Sequence, residues 1–203
     1  MTGPRNVGIL LFHNVELLDF SGPYEVFTVA NRWSKPPAFK VYTAAESREP
    51  VTAWNGLTVN PQFRLWDCPP PDLLLVPGGR GTRTEMHNPT VTGWIKRCSE
   101  KTEMVLSVCT GALLLARAGL LDGLAATTHQ TALDLLRELA PKTTVYPDRR
   151  FVDNGKVVTS AGIAAGIEMA LHVVGKLLGT EHAAKTAQYL EYPLPLPRSD
   201  RKA

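Results

Sequence analysis

The segment Leu106-Ser-Val-Cys109-Thr-Gly-Ala-Leu113 constrains this chain more than any other. An almost wholly apolar run, Glu103 to Val108, reads as a strand covered on both faces, and a helix from Thr110 to Ala118 follows with no linker. A buried strand that passes straight into a helix belongs to a sheet whose faces are both covered by helices. The rest of the chain keeps that rhythm. Val7 to Phe12, Phe39 to Ala44 and Asp72 to Val76 are further short apolar runs. Ser21 is expected to cap a first helix, with Pro23 in its first turn. Asn88-Pro89 opens a helix reaching about Lys101, and Gln130 to Ala140 carries apolar residues at helical spacing. Ile163, Ile167, Leu171, Val174 and Leu178 form the apolar stripe of a long helix, with Glu168, His172 and Lys176 on its other side. Residues 50–66 read as extended or hairpin material turning at Asn55-Gly56, and Phe151 to Val158 as a hairpin turning at Asn154-Gly155. Strands alternating with helices predict a three-layer α/β fold with a mostly parallel sheet, whose site forms where strand C-terminal ends meet helix N-terminal ends.

Composition bounds the function. At 203 residues and 44 % hydrophobic, the chain suits a single domain over 1–203, with an ordered core from about 5 to 193 and a polar tail. No apolar run approaches the ~20 residues of a membrane span, and the N-terminus lacks the pattern of a signal peptide, so a cytoplasmic protein is expected. A net charge of +3 from 22 Lys+Arg and 19 Asp+Glu gives no reason to expect nucleic acid. Three cysteines make no disulfide framework, and neither H-E-x-x-H nor a Cys/His quartet is present, so no metal is expected.

The chemistry concentrates at Cys109. A sharp turn between strand and helix projects its side chain from the sheet edge, as in the nucleophile elbow of hydrolases. The helix N-terminus is expected to lower its pKa and make it reactive. Gly111 lets helix and strand pack closely. Cys68 and Cys98 lack this setting and read as structural. Pro77-Gly78-Gly79 ends the neighbouring strand, where small residues let backbone N–H groups face a ligand beside Cys109. Gly78-Gly79-Arg80-Gly81 does not match the G-x-G-x-x-G dinucleotide pattern. Phe20, Tyr24 and Trp33 read as core. His172 and His182 lie in helical segments and are expected to be solvated.

The elbow Ser107-Val-Cys-Thr-Gly111 and the strand end Leu75-Val-Pro-Gly-Gly79 resemble the ThiJ/PfpI superfamily, of the class I glutamine amidotransferase-like fold. Val15 to Pro23, Ala126-Thr-Thr-His129 and Thr159-Ser-Ala-Gly-Ile163 extend the likeness from Val7 to about Pro193. The resemblance implies a flavodoxin-like sandwich, a homodimer and no organic cofactor. Within the superfamily the chain looks most like isocyanide hydratases, which add water to a small isocyanide (R–NC) to give an N-substituted formamide. That likeness makes Cys109 the nucleophile, Asp19 of Leu18-Asp-Phe-Ser-Gly-Pro23 the general acid/base and Thr110 a polar neighbour. It also makes Gly79, with Gly78, the oxyanion-binding position, and Gly162 with Ile163 a wall of the cysteine pocket. His129 follows a short strand where some members place a histidine near the cleft. In many members an acid of the first helix meets the cysteine instead, which would make Glu25 the rival of Asp19. The peptidase branch carries His directly after the cysteine. Thr110 stands there in this chain and cannot act as a base near neutral pH, so proteolysis is disfavoured. Three other readings remain: a ligand-sensing regulator domain, which in its DNA-binding form needs a further helix-turn-helix region; glyoxalase- or deglycase-like chemistry; and redox sensing by Cys109.

Overall fold

The computed structural model describes residues 3–193. In chain order its strands are β1 Arg5–Leu10, β2 Phe39–Ala45, β3 Val51–Thr52, β4 Thr58–Val59, β5 Phe63–Arg64, β6 Leu73–Val76, β7 Met104–Val108, β8 Ala125–Ala126, β9 Thr144–Val145, β10 Phe151–Asp153 and β11 Val157–Ser160. Its α-helices are α1 Leu17–Ala30, α2 Thr82–Glu85, α3 Pro89–Lys101, α4 Gly111–Arg117, α5 Leu133–Leu139, α6 Ala165–Leu178 and α7 Thr180–Tyr189. Seven strands form one sheet in the order β10-β11-β7-β6-β1-β2-β5, parallel throughout except for the β10–β11 hairpin. Helices α1, α6 and α7 pack together on one face, and α3, α4 and α5 lie in contact on the other. This is the three-layer, flavodoxin-like arrangement expected. The central strands are buried along their length because both faces are covered, with Leu73, Leu74, Leu75, Val105, Leu106 and Val108 fully enclosed.

Strand order reverses beside β1: the chain passes from β1 out to β2, then returns across it to β6 and β7. The C-terminal ends of β1, β6 and β7 therefore adjoin at a switch point, where α/β sheets place their sites. Asp19, Gly78 and Cys109 follow these three strand ends.

Several local expectations are corrected. Helix α1 begins at Leu17, so Ser21 is not its cap. The Ser21 hydroxyl instead donates to the Leu17 carbonyl, 2.8 Å away, and Pro23 sits inside the helix. Tertiary pairing fixes the start: Val15 bridges to Gly79, and the Glu16 N–H donates to the Gly78 carbonyl at 2.9 Å. Ile163 lies ahead of α6 with φ 39° and is not part of its stripe. Helix α7 supplies the helical segment expected around His182, for which the sequence reading carries no bounds. Trp33 is 39 % exposed and meets His182 and Tyr189 edge-on, rather than entering the core. His172 and His182 are partnered, to Asp153 at 2.8 Å and to the Ala30 carbonyl at 2.7 Å. Both hairpins form, with Gly56 and Gly155 at positive φ. The Asn154 N–H donates to the Val157 carbonyl at 3.0 Å, however, so the second turns at Gly155-Lys156 rather than Asn154-Gly155. Phe63–Arg64 pairs with β2 in the main sheet. No described helix is long and apolar enough to cross a membrane. The tail expected after Pro193 lies outside the described residues.

Candidate active site

Cys109 joins β7 to α4 with φ 55°, a left-handed conformation that costs a non-glycine residue about 1–2 kcal/mol. Three hydrogen bonds hold it there. Its N–H donates to the carbonyls of Ser160 and Ala161 at 3.1 and 3.2 Å, and its carbonyl accepts from the Thr128 hydroxyl at 2.7 Å. A Cβ on Gly111 would strike the Val76 carbonyl and lie 2.9 Å from that of Pro77, so only glycine lets α4 start this close to β6.

Asp19 lies in the first turn of α1, fully buried, yet it does not cap the helix. Its Oδ2 accepts from the Gly78 N–H at 3.0 Å, and its carboxyl lies against the Cys109 thiol. Oδ1 is buried without a well-directed donor. The Thr110 hydroxyl accepts from the Gly79 N–H at 2.9 Å and bonds Thr82 at 3.2 Å. Gly79 takes φ 126°, and a Cβ there would run into the backbone of Asn14 to Glu16. The expectation that both glycine N–H groups stand open to a ligand is therefore corrected: in this structure they position Asp19 and Thr110.

Burial dominates the electrostatics. It pushes the Asp19 carboxyl up to about 7, with the charge of Glu16 adding to the effect and the Gly78 N–H opposing it. Cys109 is 6 % exposed, and burial pushes its thiol up to about 12, with the Asp19 charge adding to the rise and the Thr110 N–H opposing it. The expectation of a lowered thiol pKa is thus corrected, because desolvation outweighs the short helix behind the cysteine. Two adjoining buried acids disfavour a second negative charge.

Cys109 lines a cleft of about 450 Å³, shared with Thr110, Gly79, His129 and Ile163. His129 packs its ring against Gly162 and pairs its Nδ1 with the Thr131 hydroxyl at 2.8 Å. Glu25 is exposed on α1 and lines grooves away from the cysteine, so the structure brings Asp19 and not Glu25 to the sulfur. Cys68 and Cys98 are half-buried outside this cleft. Sequence reasoning missed Glu16, Trp54, Arg80, Arg83 and Thr131 in the lining, and Thr128 behind the elbow. Thr128 had a signal, its place in Ala126-Thr-Thr-His129; Trp54 and the arginines reach the cleft only through folding. Among the described residues no three His, Cys, Asp or Glu side chains gather as a metal site.

A sequence model of the DJ-1/PfpI family matches residues 5–176. The chain belongs to the DJ-1/PfpI family. It is 37 % identical to an isonitrile hydratase of Pseudomonas putida over 92 % of this chain and 78 % of that protein. It is 29 % identical to the HTH-type transcriptional regulator GbdR of Pseudomonas aeruginosa, over 93 % of this chain but 51 % of the regulator. Among solved structures, a ThiJ/PfpI family protein of Pseudomonas syringae superposes with a TM-score of 0.85 at 27 % identity, covering 98 % of this chain and 80 % of that one. This DJ-1/PfpI family chain therefore has likenesses both to an enzyme and to a regulator.

Proposed function

We propose that this DJ-1/PfpI family protein hydrates a small isocyanide to an N-substituted formamide, with Cys109 as nucleophile, Asp19 as general acid/base and no cofactor. The observation that carries the reading is the buried Asp19 carboxyl, fixed by the Gly78 N–H against the Cys109 thiol at a cleft. The likeness to isonitrile hydratase supports it.

With Asp19 near 7 and the thiol near 12, the pair holds a single proton between these limits, residing mainly on sulfur. The carbon of R–NC must gain a proton as it gains sulfur, and the pair holds that proton. Asp19 takes it from Sγ and passes it to the carbon while the S–C bond forms, leaving the thioimidate Cys109–S–CH=N–R. Asp19, again a carboxylate, draws a proton from water as the hydroxyl adds to the same carbon, and delivers that proton to nitrogen. The hydroxyl proton then moves through Asp19 to sulfur as the S–C bond breaks, and R–NH–CHO leaves. The sum is R–NC plus water. Thr110 and Gly79 hold the two strand ends in register, and Ile163, Gly162 and His129 shape the cleft.

The test follows the N≡C stretch by infrared with several isocyanides, comparing wild type, Cys109→Ala and Asp19→Asn. The reading requires turnover by wild type and its loss in both variants; turnover that survives Cys109→Ala overturns the mechanism. The likeness to GbdR favours one second reading, a ligand-sensing domain. That reading expects a small molecule to bind without being consumed.

We further propose a cytoplasmic homodimer. Helix α1 is apolar on most sides, and such helices are normally enclosed, yet Leu18 is exposed beside a groove lined by Val26, Ile167 and Leu190. Sedimentation should give twice the 22.2 kDa chain mass.

A further inference from the structure

The cleft that holds Cys109 is also lined by Arg80 and Arg83. Among the described residues neither guanidinium has a carboxylate within ion-pair distance, whereas Arg5, Arg64, Arg137 and Arg150 all do. Both are nonetheless held in place. Arg80 stacks on the Trp54 ring, 3.8 Å from its centroid, and Trp54 lines the same cleft. Arg83 Nη1 donates to the Thr82 hydroxyl at 3.1 Å, and that hydroxyl bonds Thr110, the residue after the cysteine. Each guanidinium carries five donors in a planar fork suited to a carboxylate, and most of them are unused here. Glu16 is the one acidic residue in the lining, and it pairs with neither arginine. His129 already shares its Nδ1 with Thr131. Two oriented cations with spare donors at the mouth of a reactive cleft form a recognition element for an anion.

We propose that Arg80 and Arg83 select substrates bearing a carboxylate beside the carbon that Cys109 attacks, so that the preferred isocyanides are isocyano-carboxylates rather than hydrocarbon isocyanides. The inference rests on Cys109 as the reacting group, the reading proposed above, and extends it to substrate class.

Two alkylating agents of nearly equal size, iodoacetate and iodoacetamide, differ mainly in charge. Each forms an S–C bond at Cys109, expels iodide and releases the thiol proton. Both meet the same thiol, so its pKa cancels in the ratio of their rates. Rates are read at Cys109 by peptide mass mapping of the native protein, and the ratio is divided by that for free cysteine. We expect the normalised ratio to favour iodoacetate by about fivefold or more and to collapse toward one at high salt. It should also collapse in Arg80→Gln/Arg83→Gln but survive largely in Arg80→Lys/Arg83→Lys. A ratio of one or less in the wild type, or one that the glutamine pair leaves unchanged, overturns the proposal. So does failure of both reagents to reach Cys109, which would also remove the reactive-cysteine reading. Turnover is then compared for isocyanoacetate and its neutral methyl ester, with a preference in kcat/KM for the acid of similar size expected. Equal kcat/KM for acid and ester overturns the substrate class. Charge selection in alkylation with no turnover of either compound ends the hydratase reading and leaves the anion site standing.

Discussion

Asp19 and Cys109 are each simple to describe and interdependent in chemistry. Neither can ionise freely in a buried site, and the proposed mechanism needs the pair to hold one proton. Asp19→Asn keeps the shape and can still meet the sulfur, but it cannot move a proton. A loss of about 10²–10⁴ in kcat is expected, the usual range for removing a general acid/base, with the protein still folded by circular dichroism. The wild-type pH profile should rise through about 7 as the second proton leaves Asp19, then stay level across the neutral-to-alkaline range because the thiol is pushed up to about 12. A profile that instead rises through the usual thiol range of about 8.5 would mean that the cysteine acts alone. Thr110 works differently. Its hydroxyl satisfies the Gly79 N–H and meets Thr82, so Thr110→Val leaves that amide without its partner. A stability cost of about 1–3 kcal/mol is expected in urea titration, together with slower turnover as the elbow loosens against β6, whereas Thr110→Ser should retain both.

At the scale of elements, β7 shows how a strand can be optimised for position rather than stability. It is wholly buried between β6 and β11, yet it carries Ser107, whose hydroxyl has no hydrogen-bond partner. Ser107→Ala should therefore stabilise the fold by about 1 kcal/mol, read as a raised Tm, without removing any contact on which the cysteine depends. The same strand explains what the sequence made legible. Its apolar run, the cysteine and Gly111 are contiguous, so elbow, strand and helix could be read from adjacent residues. Pro77-Gly78-Gly79 likewise announced the end of β6. The start of α1 could not be read this way, because pairing of Val15 with Gly79 sets it across a sequence separation too long for any local signal. Nor could the role of the glycine N–H groups. Small residues signal close approach, but which acceptor fills the space depends on where β1 delivers Asp19 and where β7 delivers Thr110. Ile163 shows the converse error: its spacing fits the α6 stripe, while its positive φ turns the chain into the cleft before the helix begins.

At the scale of the whole molecule, the acid to which the proposed mechanism assigns proton transfer works against the fold. Asp19 is raised to about 7 in the folded chain, against an ordinary value near 3.8. A carboxyl raised by folding binds protons more tightly in the native state than in the unfolded one, so its contribution to stability is fully present below the unfolded pKa. It is lost as pH rises through the folded pKa. Between about pH 4 and pH 7 the native protein should therefore lose on the order of a few kcal/mol on account of this one residue, and little more from it above that window. Glu85, also raised by burial, adds a smaller effect of the same sign. Activity should climb across the same interval, because ionisation of Asp19 generates the singly protonated pair. Urea midpoints for wild type and Asp19→Asn at about pH 5 and about pH 8 separate the two effects. The wild-type midpoint should fall between the two conditions and the variant's should change much less, so that the variant gains relative to wild type on the alkaline side. If both midpoints move in parallel, Asp19 titrates as an ordinary carboxylate, and burial beside Cys109 does not set the pH dependence of the proposed reaction.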